Sequence, residues 1–335
     1  MRAAPPRTDG QDSLAAELEL VREGVGLLDR SERGKLALAG PDGIEFLNGQ
    51  VTNELEGLAP GEGRYAAFLT HKGKMLGDMR ILSVPDGDPD AGMLLLDTER
   101  VALQALFDMI RRFKVGFRVE LHKRTVERSL LSLLGPRSAA IASAEELGAA
   151  EHATTAVRIR SVQALAVRTD LGVDLFCDAA ERDRLWEALV DEGAGPIDEA
   201  AAECLRIESG RPRYGLDLDD TVIPQEAGLN ERAVSFTKGC YVGQETVARL
   251  FYRGRPNRHL RGLRLSGPAG HGDELRLDGR PVGSVGSSAS SPRLGPIGLA
   301  LVRREAEPGS TLEVGGQGVA AEVLKLPFPA GDGPG

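Results

Sequence analysis

One cysteine stands where reactive chemistry is easiest to build. In "SFTKGCYVGQETVARL" (235–250), Cys240 lies between Gly239 and Tyr241, just ahead of a predicted helix. The thiolate, not the thiol, is the nucleophile and metal ligand. Lys238, two residues earlier, and the positive end of the helix dipole would both favour that form. Gly239 and Gly243 allow a tight path and close approach of a ligand to the backbone. Tyr241 and Gln244 add a phenol and an amide, while Glu245 suits a first helical turn and partly cancels the positive field. Cys177, ending an apolar strand, and Cys204, in "AAECLRIE", have the settings of packed, inert thiols.

Two further stretches hold polar groups among turns. "THKGKMLGDMRI" (70–81) reads as a tight lysine–glycine hairpin followed by Asp78. A carboxylate at the start of a strand suits an N–H-rich heterocycle, and a solvated turn fits equally. "LRIESGRPRYGLDLDD" (205–220) mixes Arg206, Glu208, Arg211, Arg213 and Tyr214 with glycines. Glu208 suits a planar amidine-like group such as a pterin; an ordinary Arg206–Glu208 ion pair fits the spacing as well. The arginines from Arg249 to Arg264 read as a collector of carboxylates or phosphates, or as a solvated linker. The five histidines show no metal-ligand spacing. Neither a P-loop nor a dinucleotide fingerprint occurs in strand–helix context.

The elements that must position these groups are written twice. "KLALAGPDGIEFL" (35–47) and "LLSLLGPRSAAIA" (130–142) each read as apolar strand, Gly-Pro, helix. "GMLLLDTERVALQALFDMI" (92–110) and "GVDLFCDAAERDRLWEALV" (172–190) each read as strand, capping aspartate (Asp97 or Asp178), helix. A hairpin fits between the landmarks of each copy. The pattern predicts an α+β fold: two similar α/β modules with largely antiparallel sheets over 13–128 and 129–255, the second carrying the cysteine motif. From 256 to 328, short alternating strands separated by turns such as "DGRP" and "GGQG" predict a C-terminal β-barrel. Residues 1–12 and 329–335 read as tails.

Composition narrows the function classes. A formal charge of -9 argues against non-specific binding of nucleic acid or anionic lipid. No run of about 20 apolar residues is present, and the N-terminus lacks the apolar segment of a signal peptide. Three scattered cysteines give no disulfide framework and no self-contained zinc or iron–sulfur site, which points to the cytoplasm.

"KGCYVGQE" resembles the signature of the YgfZ family of folate-binding proteins, relatives of the glycine-cleavage T-protein (aminomethyltransferase). The likeness extends through "LLDRSERGKLALAGPDGIEFLNGQVTNEL", the "K-G-K" hairpin, "LRIESGRPRYG" and the barrel stretch "GSVGSSASSPRLGPIGLALV". It implies tetrahydrofolate in a central channel between modules and barrel, and a role in maturing or repairing iron–sulfur enzymes, including tRNA-modifying ones. Lys238, Cys240, Tyr241, Gln244 and Glu245 match the signature. Glu208 and Tyr214 match the stretch that touches folate in T-proteins. Asp78 matches one of two adjacent aspartates, the other being Gly77 here, which sets aminomethyl transfer against the resemblance. The leading expectation is a tetrahydrofolate-binding accessory protein for iron–sulfur client or assembly proteins, with Cys240 and Lys238 as the reactive pair. A folate-dependent aminomethyltransferase and a non-catalytic interaction scaffold are the alternatives.

Overall fold

The computed structural model describes residues 9–316 and 318–328. The chain enters through α1 (Asp9–Glu23), so part of the expected N-terminal tail is helical; the expected C-terminal tail lies outside the described residues. β1 (Gly26–Asp29) follows. The first module is then built from β2 (Gly34–Ala39), α2 (Gly43–Asn48), β3 (Gly63–Leu69), β4 (Met75–Ser83), β5 (Leu94–Thr98), α3 (Leu103–Phe113) and β6 (Glu120–Lys123). Its antiparallel sheet is ordered β3-β4-β5-β2-β6. The second module comprises β7 (Arg128–Leu134), α4 (Ser138–Ile141), β8 (Thr154–Ile159), β9 (Val162–Arg168), β10 (Gly172–Asp178), α5 (Arg182–Asp191) and β11 (Gly195–Pro196). Its sheet runs β11-β1-β7-β10-β9-β8, so β1 crosses from the first module's stretch of sequence to pair with β7.

Strand period explains the layering. On β4, Met79 and Ile81 pack under Leu106 and Ile110 of α3, so the alternate residues Asp78, Arg80 and Leu82 face away from that helix. On β10, Val173, Leu175 and Cys177 pack under Leu185 and Leu189 of α5, leaving Asp174 and Phe176 on the other face. Those two faces meet. Leu82, Leu95, Leu130, Leu165, Val167 and Phe176 form an apolar seam between the sheets. Each fully buried leucine there contributes about 1.5–3 kcal/mol. Strands covered on both faces read as near-continuous apolar runs, as in "LLLDT" and "RSLLSLL".

The matching aspartates of the two copies have different fates. Asp178 caps the short 3₁₀ turn Ala179–Glu181 that leads into α5, accepting from Ala180 N at 2.8 Å, while α5 itself has no side-chain cap. Asp97 does not cap α3, whose first turn has no side-chain cap. It is fully buried within β5 and accepts from Arg33 and Arg80 instead.

After α6 (Glu199–Glu208) the chain returns to the first module. α7 (Asn230–Ala233) packs beside β3, and α8 (Gln244–Arg253) follows the cysteine motif. Val247 and Tyr241 share an apolar cluster with Ala67, Leu69 and Met75 of the first sheet. The motif expected with the second module therefore rests on the first. The barrel closes in the order β12-β15-β14-β13-β16-β17, with strands β12 (Arg258–Leu265), β13 (Glu274–Leu277), β14 (Arg280–Ser291), β15 (Gly295–Arg303), β16 (Thr311–Val314) and β17 (Val319–Leu324).

Candidate functional site

A cavity of about 190 Å³ opens between the inner faces of the two sheets. Asp78 lies in its wall and is 6% exposed. Tyr65 OH donates to Asp78 Oδ2 at 2.8 Å, and no ion pair reaches this carboxylate among the described residues. Burial pushes its proton affinity up to about 6; the Tyr65 hydrogen bond pulls the other way without prevailing. Tyr65 itself is held protonated by burial and by the neighbouring Asp78 charge. The hairpin register explains the contact. Ala67 stands opposite Asp78 and Tyr65 opposite Arg80, so Tyr65 is the diagonal same-face neighbour of Asp78.

Gly77 points elsewhere. A Cβ at this position would meet Ala102 Cβ at 2.9 Å and Leu106 Cδ1 at 3.0 Å, both on the α3 side. A carboxylate at 77 would be driven into the outer core, not into the cavity. The carboxylate that faces the cavity is the one this chain keeps.

Arg80 ties the sheets together behind Asp78. It donates to Asp97 Oδ2 at 2.7 Å and to Asp174 Oδ2 at 2.6 Å, while Ser132 Oγ completes Asp174 at 2.6 Å. Burial alone would raise the Asp97 carboxyl, but Arg33 and Arg80 hold it well below the usual carboxylate range. Breaking such a buried pair typically costs about 3–5 kcal/mol, because the partner is left charged and unpaired.

Tyr214 also lines the cavity, and burial raises its phenol to about 12. Five buried side-chain atoms in the lining have no hydrogen-bond partner among the described residues: Arg30 Nε, His152 Nδ1, Thr169 Oγ1, Arg211 NH1 and Arg232 Nε. His152 is buried and held neutral, its proton affinity lowered to about 3 by burial and then by the Arg80 and Arg232 charges.

The other expected site residues lie apart from this cavity. Glu208, at the end of α6, accepts from Ser291 Oγ and from Arg293 at 3.1 Å, so it braces the helix against the barrel strand β14. The Arg206–Glu208 ion pair that the spacing left open as an alternative is not formed; Arg206 pairs with Glu203 and Asp217. Lys238 is not the partner of the thiol that its spacing suggested. Its buried ammonium donates to Asn48 O and Oδ1, Val51 O and Asn53 O at 2.6–3.0 Å, which pins the motif to the loop after α2. Tyr241 packs into the apolar cluster under the motif, its phenol raised to about 12 by burial. Gly243 takes a left-handed φ of 83° ahead of α8, where a Cβ would meet Thr70 O at 2.5 Å. Gln244 reaches back toward Gly239 O at 3.5 Å, and Glu245 is exposed in the first turn. Cys240 is exposed, whereas Cys177 and Cys204 are buried and pushed up to about 11 and about 12 by burial. Among the described residues no cluster of three metal-ligating side chains occurs.

Sequence reasoning missed Tyr65, Arg80, His152, Thr169 and Arg232 as cavity groups, whereas Arg211 stood in the polar stretch 205–220. Tyr65 was open to discovery through the diagonal pairing of the hairpin. His152 and Thr169 carry no local signal, because they sit on the two loops flanking β8 and β9.

Comparison with known proteins agrees with this architecture. Residues 4–238 match the GCVT N-terminal domain, and residues 258–329 match the glycine cleavage T-protein C-terminal barrel domain. An aminomethyltransferase of Thermosipho melanesiensis is 27% identical over 337 residues, covering 95% of this chain and 90% of the relative. One of Rubrobacter xylanophilus is 31% identical over 326 residues, covering 94% and 86%. The crystal structure of glycine cleavage system aminomethyltransferase T from Bartonella henselae superposes with a TM-score of 0.81 at 23% identity, covering 94% of this chain and 89% of that one. No helix among the described residues is long and apolar enough to cross a membrane. With both domain types matched along the chain in the same order as its modules and barrel, this protein belongs to the glycine cleavage T-protein family.

Proposed function

We propose that this chain binds a reduced folate in the cavity between its sheets and acts there as a folate-dependent one-carbon transferase. The observation that carries this reading is Asp78, a buried carboxylate in the cavity wall held by Tyr65, with no ion pair reaching it among the described residues. The donor set fits the group. A pteridine offers a flat face and an N–H-rich edge; Tyr65 and Tyr214 supply aromatic walls, and Asp78 accepts from N–H donors. When bound, tetrahydrofolate supplies the nitrogen that takes up the one-carbon unit. Asp78 orients an amine by accepting from it at Oδ1, the oxygen Tyr65 leaves free. With its proton affinity near 6, it also exchanges a proton close to neutral pH. The relatives named aminomethyltransferase support this reading, and so does the outward aim of Gly77, since the second aspartate's absence removes nothing from the cavity.

Calorimetric titration with folinic acid should give saturable binding. Turnover of lipoyl-bound or free amine donors should require folate and fall by about 10²–10³ in Asp78→Asn. Saturable binding with no folate-dependent turnover by the unaltered protein would reject the transferase reading.

A second reading keeps the folate and moves the chemistry to Cys240: an accessory protein for iron–sulfur client or assembly proteins, including tRNA-modifying enzymes, in the cytoplasm. It is favoured by the exposure of Cys240 alone among three cysteines, at the tip of a "KGCYVGQE" loop that Lys238 and Tyr241 anchor from below. One thiol cannot hold a cluster, so cluster contact would require ligands from a partner. Cys240→Ala should then bind folinic acid normally and fail to sustain iron–sulfur enzyme activity in cells lacking the native protein. Full complementation by that variant would dismiss the thiol's role.

A further inference from the structure

Helix α8 buries one side only. Val247 packs into the apolar cluster on the first sheet, whereas Arg249 and every residue from Phe251 to Arg255 are exposed. Arg249, Tyr252 and Arg253 stand at i, i+3 and i+4, so they share one stripe of the helix. Phe251 is 48% exposed and Tyr252 67%, in a chain only 4% aromatic. The two rings meet edge to face at 5.0 Å, and Phe251 stacks on Phe236 at 3.7 Å. Single apolar residues on a surface are ordinary; rings grouped there mark contact with another molecule, because covering them removes apolar area from water.

Charge decides what covers them. Arg249, Arg253 and Arg255 form no ion pair among the described residues, not even Arg249 with Glu245 one turn earlier, whereas the arginines further along do: Arg258 pairs with Glu226 at 2.9 Å and Arg264 with Glu322 at 2.7 Å. The exposed Lys72 adds to the same side, since the hairpin tip rests on α8: a Cβ at Gly73 would meet Thr246 Cβ at 2.7 Å. This basic face belongs to a chain of formal charge -9. Arginine set among phenylalanine and tyrosine is the composition of the energetic centre of protein–protein contacts. The face also leads to the cysteine. The Phe236–Phe251 stack closes the segment 236–251 on itself with Cys240 inside it, and Gln244 at the start of α8 reaches back toward Gly239 O. The helix is about 15 Å long, so a partner lying along it ends beside an exposed thiol. We infer that α8, with Phe236, is a docking surface for an acidic segment of a partner protein, one that carries apolar residues among its carboxylates and lies along the helix toward Cys240. Nucleic acid is a poorer occupant: Phe251 already has one face on Phe236, and Tyr252 stands at 82° to it, so the rings give no parallel platform for successive bases. The inference concerns binding alone and holds under either reading of the chemistry.

The test follows the fluorescence anisotropy of a labelled synthetic helix of about 15 residues, made of glutamate and leucine, as the full chain is added. The same peptide with lysine in place of glutamate, an oligothymidylate and phosphatidylglycerol vesicles serve as the other probes. Saturable binding of the glutamate peptide is expected, with none of the lysine peptide. Arg249→Glu combined with Arg253→Glu should weaken it at least about tenfold. The melting temperature of that variant should be unchanged, because both side chains are exposed and have no carboxylate partner to lose. Tyr252→Ser should weaken binding about fivefold. Saturating peptide should slow alkylation of Cys240 at least about threefold. Equal affinity for the glutamate and lysine peptides, or unchanged affinity in the arginine variant, would overturn the docking surface. Binding that leaves the alkylation rate of Cys240 untouched would overturn its direction along the helix. Tighter binding of the oligothymidylate or of the vesicles, lost in the arginine variant, would assign the face to nucleic acid or lipid and overturn the protein partner. A concentration-dependent dimer abolished by the same variant would assign it to a second copy of this chain, with the same consequence.

Discussion

Asp78→Asn isolates the energetic cost of placing a carboxylate where the cavity needs it. The group is 6% exposed on the inner face of β4, and burial moves its proton affinity from an ordinary 3.8 to about 6. The folded state then holds its proton more tightly than the unfolded chain does. Between pH 4 and pH 6 folding takes up protons at this site, so stability falls as pH rises through that window. The cost is absent below pH 4 and complete above pH 6. A change of this size corresponds to about 3 kcal/mol at pH 7. Asparagine keeps an oxygen for the Tyr65 hydroxyl and carries no charge. Urea unfolding of both proteins at intervals from pH 4.5 to 7.5 should show the variant gaining on the parent across the window, to about 3 kcal/mol at pH 7. Other titrating groups cancel in the difference. The same variant should bind folinic acid about 10–100-fold more weakly, the worth of a hydrogen bond to a charged group. A stability gap that does not change with pH would show that Asp78 is not a buried, charge-strained carboxylate, and the assignment of the cavity would go with it.

Three further outcomes follow from the geometry. Gly77→Asp should destabilise the fold by at least about 3 kcal/mol, because its carboxylate is forced against Ala102 and Leu106, and it should not raise transferase activity; denaturant midpoints and turnover check this together. Lys238→Met strands the carbonyls of residues 48–53 and should cost about 3–5 kcal/mol in unfolding experiments, while the alkylation rate of Cys240 changes less than about twofold. Thiol titration of the native protein should count one reactive group, Cys240, and three after denaturation; a second native thiol would contradict the burial of Cys177 and Cys204.

The strands, their two copies and the barrel were legible because their signals are local. Alternation, apolar runs and Gly-Pro punctuation act within a few residues, and they led to the α+β arrangement the structure has. Even the opposite aims of Gly77 and Asp78 are latent in the chain, since neighbouring residues on a strand face opposite sides. Direction beyond a strand was not legible. Asp97 and Asp178 stand in the same local pattern, yet one caps the short turn that leads into α5 and the other is buried beneath two arginines. Lys238 is two residues from Cys240, yet its ammonium is bound to carbonyls some 190 positions away in sequence.

What the chain determined by itself is the set of elements and which face of each strand is apolar, because propensity and pleat are properties of short stretches. What only the tertiary structure decided is the cavity. Its carboxylate comes from β4 and its unpartnered polar groups from loops at 152, 169 and 211 and from α7 at Arg232, brought together when two sheets press their inner faces into contact. Burial and charge pairing depend on those long-range neighbours, and no local pattern encodes them.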